Sequence, residues 1–272
     1  MFDNNHLLFF SILGFKLFFM KRLLYLLFIF SVFFSCKRTE GCTDPLATNF
    51  VYGASVDDGS CVYPEPIPTV TDVDGNVYET VTIGDQQWMA ENLKTSSYSN
   101  GDPILHEIDS TNWLNLDSGA FCWLDNYNGN DFVYGKLYNW YAVQDSRNLC
   151  PTGWHVPTNA EWNELTNYLG GNLIAGKKMK DSVLWNGYSS WNLYCPEDTC
   201  QGTNESGFSG SPWGCRWDDG DFYNFGYGGH WWSSTEEAIG VAWSSCLWYE
   251  TSMVIDTFYY VNNGFSVRCV QD

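Results

Sequence analysis

The chain carries ten cysteines, and none of them stands in a zinc-ribbon or thioredoxin-type Cys-x-x-Cys spacing. That removes the two common intracellular uses of clustered thiols and leaves disulfide cross-linking in an oxidising compartment. A chain of this kind can hold long loops in place covalently, so it needs less continuous helix and sheet than a reduced protein of its length.

The N-terminus agrees with export. Met20-Lys21-Arg22 supplies a short cationic region, Leu23 to Phe34 an apolar run, and Ser35-Cys36 a small residue followed by cysteine, the three-part layout of a secretory signal. The run is too short to span a bilayer. It resembles a bacterial lipoprotein signal, which implies cleavage before Cys36, acylation of that thiol and anchoring to a membrane by the acyl chains. A secretory signal without lipidation is the alternative. Met20 is a conventional start for this segment, and Leu7 to Phe19 forms a second apolar stretch broken by Gly14 and Lys16. Residues 1–35 are therefore read as signal peptide.

Net charge is −19, and the few basic residues after the signal are scattered. Phosphate backbones and anionic headgroups need a cationic stripe, so no nucleic-acid partner is expected and membrane association rests on the lipid alone. Residues 36–61 form an appendage bracketed by Cys42 and Cys61, too short to bury a core and stapled by a local Cys42–Cys61 disulfide. It resembles a short Cys-bracketed motif of secreted Bacteroidetes proteins. Its Asp44, Asp57 and Asp58 are candidate calcium ligands, or else they make the turns that Asp-Pro and Asp-Gly sequences favour. Residues 62–68 alternate proline in a semi-rigid spacer, and residues 69–272 form the main domain.

That domain opens with a hairpin signal, Val70 to Asp74, a turn at Asp74-Gly75 and alternating Val77 to Ile83, followed by a turn at Gly84-Asp85 and a further strand from Gln86 to Leu93. Thr158-Asn159-Ala160-Glu161 is a capping box, Trp162, Leu165 and Leu169 share a helical face, and Gly170-Gly171 ends it. A second, shorter helix is predicted over Leu137 to Val143. Beyond Gly176 come Gly-, Ser-, Asn- and Trp-rich tracts with short strand-like pieces at Val241 to Trp243, Met253 to Ile255 and Phe265 to Val270. Few helices, short strands and long ordered loops give an α+β class.

Several segments carry a resemblance that spans residues 72–272: Asp74 to Tyr78, Gln87-Trp88-Met89-Ala90-Glu91-Asn92-Leu93, Tyr134 to Trp140, Cys150-Pro151-Thr152-Gly153-Trp154-His155-Val156-Pro157-Thr158, Glu205 to Ser209, Trp231-Trp232-Ser233-Ser234-Thr235 and Phe265-Ser266-Val267-Arg268-Cys269-Val270. Together they resemble the Fibrobacter succinogenes major paralogous domain family. That family is similar to the formylglycine-generating-enzyme and C-type-lectin-like folds, which implies small twisted antiparallel sheets, two helices and long ordered loops. In those folds the last strand returns beside the early helices, which implies a Cys150–Cys269 disulfide. Cys195–Cys200 is then a local pair and Cys215–Cys246 a further one, with Cys122 left over.

The formylglycine-generating enzymes use two cysteines four residues apart, and Cys195 to Cys200 has that spacing. Its setting is acidic, with Glu197 and Asp198, whereas a reactive thiolate needs positive charge beside it. Neither a nucleophile elbow nor a His-Glu-x-x-His zinc motif occurs. His106, His155 and His230 are far apart and flanked by bulky apolar residues, and a structural role is expected for them. The calcium tripeptides of C-type lectins are also missing, and the nearest acidic cluster, Asp218, Asp219 and Asp221, is either a cation loop or a solvated turn. The aromatics Trp185, Tyr188, Trp191, Trp213, Trp217 and Tyr223 lie in predicted loops, where rings stack on sugars or anchor a protein, or else fill the interior. The expectation is a lipid-anchored envelope protein, at the outer membrane or cell surface, with a non-catalytic binding or adhesion module for a glycan or an extracellular protein. An oxidase of the formylglycine-generating type and a structural envelope component are the alternatives. No cofactor other than calcium is implied.

Overall fold

The computed structural model describes residues 38–130, 134–182 and 201–272. The signal peptide, Cys36, the Cys195 and Cys200 pair and the aromatics Trp185, Tyr188 and Trp191 lie outside the described residues. The chain divides into two compact units at Pro66/Ile67, within the proline-rich spacer.

In the first unit a Cys42–Cys61 disulfide is formed. Asn49 holds the closing segment, donating from Nδ2 to the Ser60 carbonyl and accepting from Val62 N–H. A bridge between Glu40 and Val56 closes the other side. With so little apolar area, cross-linking a loop of 19 residues is the main ordering term, worth about 3 kcal/mol in the chain-entropy model.

The second unit contains three small sheets. In chain order its elements are β1 (Thr69–Thr71), β2 (Val77–Ile83), β3 (Gln86–Met89), β4 (Leu105–His106), α1 (Ser110–Leu114), β5 (Ala120–Cys122), β6 (Leu137–Tyr138), α2 (Trp140–Val143), β7 (Trp154–His155), α3 (Asn159–Tyr168), α4 (Asn172–Met179), β8 (Trp213–Arg216), β9 (Phe222–Phe225), β10 (Gly228–Ala238), β11 (Val241–Trp248), β12 (Val254–Tyr260) and β13 (Val270–Gln271). The sheets run β1-β2-β3-β13-β7, β12-β11-β10-β8-β9 and β4-β5-β6. The class is α+β.

The opening hairpin forms as its sequence dictates. Asp72 accepts from Asp74 N–H, Asn76 N–H and the Tyr78 hydroxyl, fixing the turn through Gly75 at φ +86°, a conformation glycine adopts without strain. β3 is shorter than predicted, because after Ala90, whose N–H still bonds the Glu79 carbonyl, the chain leaves β2 and Leu93 N–H turns to the Val267 carbonyl. α3 carries the predicted capping box, and Trp162, Leu165 and Leu169 are buried.

Two helix expectations are corrected. Leu137 and Tyr138 pair with Cys122 and Phe121 as a strand, and only residues from Trp140 are helical. Asn139 caps them by accepting from Ala142 N–H, so the helix begins where that cap lies. The Gly170-Gly171 stop is real, with both residues at positive φ. Gly171 is also the N-cap of α4, whose Ala175 and Met179 are buried. The described residues thus hold four α-helices where two were expected.

The Cys150–Cys269 disulfide is formed across 119 residues. β13 lies between β3 and β7, with Val270 opposite both Trp88 and His155, and this seats Cys269 beside the segment leading into α3. The predicted Cys215–Cys246 pair is not formed, and both thiols are free and buried. β10 lies between β8 and β11, so the cysteines stand two strand spacings apart, roughly 9 to 10 Å, beyond disulfide reach. His230 fills the gap, with Nδ1 3.1 Å from Cys246 Sγ. Cys122 is also free and buried.

Candidate functional site

The acidic residues nominated for calcium are engaged in turns. Asp44 accepts from Leu46 N–H and the Tyr63 hydroxyl, and Asp57 and Asp58 accept from Gly59 N–H and Ser60 N–H. Asp219 accepts from Asp221 N–H and from the Tyr223 hydroxyl, while Asp218 is simply exposed. Among the described residues no group of three or more His, Cys, Asp or Glu side chains converges on a metal-sized site.

Of the nominated aromatics Trp213 is buried and Trp217 is partly buried. Trp213 is 7% exposed and packs at 4.0 Å on Tyr134. Trp217 packs against His230, Tyr259 and Phe265. Tyr223 is exposed, at 42%.

The histidines and thiols are placed structurally. His230 is enclosed, its ring 4.9 Å from that of Phe265, and burial drives its pKa down to about 3. Burial pushes the Cys122 and Cys246 thiols up to about 12 and raises that of Cys215, the opposite of what a nucleophile requires. His155 donates from Nε2 to Glu161 Oε1, 2.8 Å away, and from Nδ1 to Asp272 Oδ1, 2.7 Å away. Burial works against its charge, but the bonds to Asp272 and Glu161 prevail and raise its pKa. His106 lies beside Phe121 and Trp123.

What the sequence did not expose is a row of rings on the free edge of the second sheet. β12 is an edge strand. Its register sets Leu247 opposite Val254, Ser245 opposite Asp256, Trp243 opposite Phe258 and Val241 opposite Tyr260. Side chains alternate along a strand, so these pairs share one face. At one end of that face Leu247 and Val254 are buried in the cluster that also holds Trp162 and Met179. At the other end it opens to solvent, where Phe258 is 50% and Tyr260 61% exposed. Trp243 meets Phe258 edge to face at 5.8 Å, and its Nε1 donates to Glu237. The sequence carries no sign of which face of these strands loses its cover.

A second constellation is internal. The Arg268 guanidinium donates to the Phe208 carbonyl and, at 2.9 Å, to Asn92 Oδ1, and lies 4.1 Å over the Phe208 ring. Asn92 Oδ1 also accepts from Trp231 Nε1, and its Nδ2 donates to Tyr134 O and Ser266 Oγ, so all of its hydrogen-bonding capacity is used. Burial lowers the Arg268 pKa to about 9, against the nearby charge of Glu91.

A family model described as the Fibrobacter succinogenes major domain matches residues 81–271. The chain belongs to this family. No curated protein and no solved structure matches it. The Arg268 centre gives the signatures of the Fibrobacter succinogenes major domain a physical meaning in this chain. The Trp88 to Leu93, Tyr134 to Trp140, Glu205 to Ser209, Trp231 to Thr235 and Phe265 to Val270 segments all send a polar or aromatic group to it. They come from the ends of β3 and β13, from β10, from the segment before β6 and from the loop before β8, and Asn92 and Arg268 tie them together.

Proposed function

We propose that the chain is a non-catalytic binding or adhesion module, held at the cell envelope by a lipid on Cys36, that presents the open face of β11 and β12 to a glycan or an extracellular protein. The observation that carries this reading is the row formed by Phe258 and Tyr260 on the edge strand β12 and Trp243 beside them on β11, with Ile239 fully exposed at the adjoining hairpin tip. Large rings left in solvent on a preformed sheet are a recognised basis of recognition, because they bury much area with little loss of side-chain freedom. Glu237, which accepts from Trp243 Nε1, borders the rings, so a neutral or basic partner fits better than an anionic one. Support for the absence of catalysis comes from the chemistry of the titratable groups, since the described thiols are protonated and buried and His230 is enclosed.

A glycan and matrix-protein array probed with the mature chain tests the reading. Saturable binding that weakens in a Phe258→Ala/Tyr260→Ala variant with unchanged melting is expected, and binding indifferent to that change would refute it. For the anchor, Cys36→Ala is expected to leave the chain unprocessed or released from the membrane fraction. Unchanged mobility and retention, without label from a fatty-acid probe, would exclude acylation.

A further inference from the structure

α3 has two faces, and only one is explained by packing. Trp162, Leu165, Thr166 and Leu169 are buried. The opposite stripe, Ala160, Asn163, Glu164, Asn167 and Tyr168, follows the same helical spacing of three and four residues and lines a groove of about 650 Å³ against Ile83, Gly84 and Asp85 of the β2–β3 turn. That volume is in the range of small-ligand sites, roughly 300–1,000 Å³.

The walls are fixed before any ligand arrives. Ile83 is buried in the cluster that contains Trp162 and Leu165, and Gln86 Nε2 donates to the Glu161 carbonyl, tying turn to helix. Gly84 has φ +65°, and a Cβ there would lie 3.0 Å from the Tyr168 ring. The ring is thus seated on the turn through the absence of a side chain, yet it is still 66% exposed. Among the described residues, no hydrogen bond or ion pair engages the side chains of Asp85, Glu164 or Asn167. No cationic side chain lines the groove. The groove beside Tyr98 differs in this respect, because there Arg147 is already committed to Asp145 and Asp102.

We propose that this groove is a saccharide-binding site that takes an uncharged pyranose, with one sugar face on the Tyr168 ring and its hydroxyls on Asp85, Glu164 and Asn167. The chemistry selects this class. A ring offers its face to the apolar C–H side of a sugar, carboxylates accept from hydroxyls, and the amide of Asn167 both donates and accepts. Two carboxylates without a cation disfavour phosphate, sulfate and uronate groups. The inference goes beyond the ring row of β11 and β12 and stands on different residues.

The test is saturation-transfer NMR and calorimetry on the mature chain, with methyl glycosides of glucose, galactose, mannose and N-acetylglucosamine, their disaccharides, and a sulfated oligosaccharide for contrast. Saturable binding of at least one neutral sugar is expected. Tyr168→Phe should retain it and Tyr168→Ala should weaken it about tenfold, with melting unchanged because the residue is surface-exposed. Asn167→Ala should also weaken it, and Phe258→Ala/Tyr260→Ala should not. The proposal is overturned by no saturable binding to any neutral sugar at millimolar concentration. It is equally overturned by preference for the sulfated probe, or by binding that survives Tyr168→Ala. Binding that vanishes instead in the Phe258/Tyr260 variant would overturn it while supporting the ring row as the glycan site.

Discussion

Replacing Cys150 and Cys269 together by alanine opens the longest covalent loop among the described residues, 119 residues between two fully buried sulfurs. In the chain-entropy model a loop of that length restrains the unfolded ensemble by about 5 kcal/mol, comparable to the whole net stability of many domains. For a unit of the size of Ile67–Asp272, where each kcal/mol moves the midpoint by about 2 to 4 °C, the expected fall in Tm is about 10 to 20 °C. Loss of packing is separated from loss of loop closure by Cys122→Ala, which removes an equally buried sulfur that closes no loop and should cost only about 1 kcal/mol. Both variants are compared with the parent by urea denaturation followed through tryptophan fluorescence. A double variant that loses no more than Cys122→Ala would refute the argument that closing this loop supplies a large share of the domain's stability.

Arg268→Met should destabilise the domain by about 3 to 5 kcal/mol, since it leaves Asn92 Oδ1 and the Phe208 carbonyl short of a buried donor; a melting curve within one or two degrees of the parent would show the centre to be dispensable. His155 has a raised pKa, so its contribution is complete below the unfolded value near 6.5 and is lost as pH rises through the folded value. The stability difference between parent and His155→Gln should therefore shrink above neutrality, and a difference that grows with pH would contradict the assignment. Thr158→Ala should cost about 1 kcal/mol by removing the α3 cap, checked by the denaturation midpoint. Millimolar calcium should leave Tm unchanged, because Asp44, Asp57, Asp58 and Asp219 already serve turns and no metal-sized cluster is formed among the described residues; an upward shift would reveal a site.

What could be read in the sequence was what is local in the chain. The capping box of α3, the turn at Asp74-Gly75 and the Cys42–Cys61 staple depend on residues near one another, and each appears as written. Two features failed because they depend on which elements become neighbours. Leu137 and Tyr138 have apolar periodicity compatible with a helix, and they became strand because Phe121 and Cys122 came alongside. Cys215 and Cys246 looked like a leftover pair, and the insertion of β10 between their strands keeps them apart.

The aromatics show the same limit in its sharpest form. Trp213 and Tyr260 are both large rings in short strands, and no property of either residue says that the first is covered by Tyr134 and the second is left at a sheet edge. Burial is decided by strand order, and strand order is a property of the whole chain. Tyr168 is the exception that sequence could have reached. Once the face bearing Trp162, Leu165 and Leu169 is assigned to the core, helical geometry places Asn163, Glu164, Asn167 and Tyr168 on the other side. A tyrosine among polar residues on an outward face gains nothing from burial in the core. Only its neighbour, the turn at Gly84, had to come from the fold.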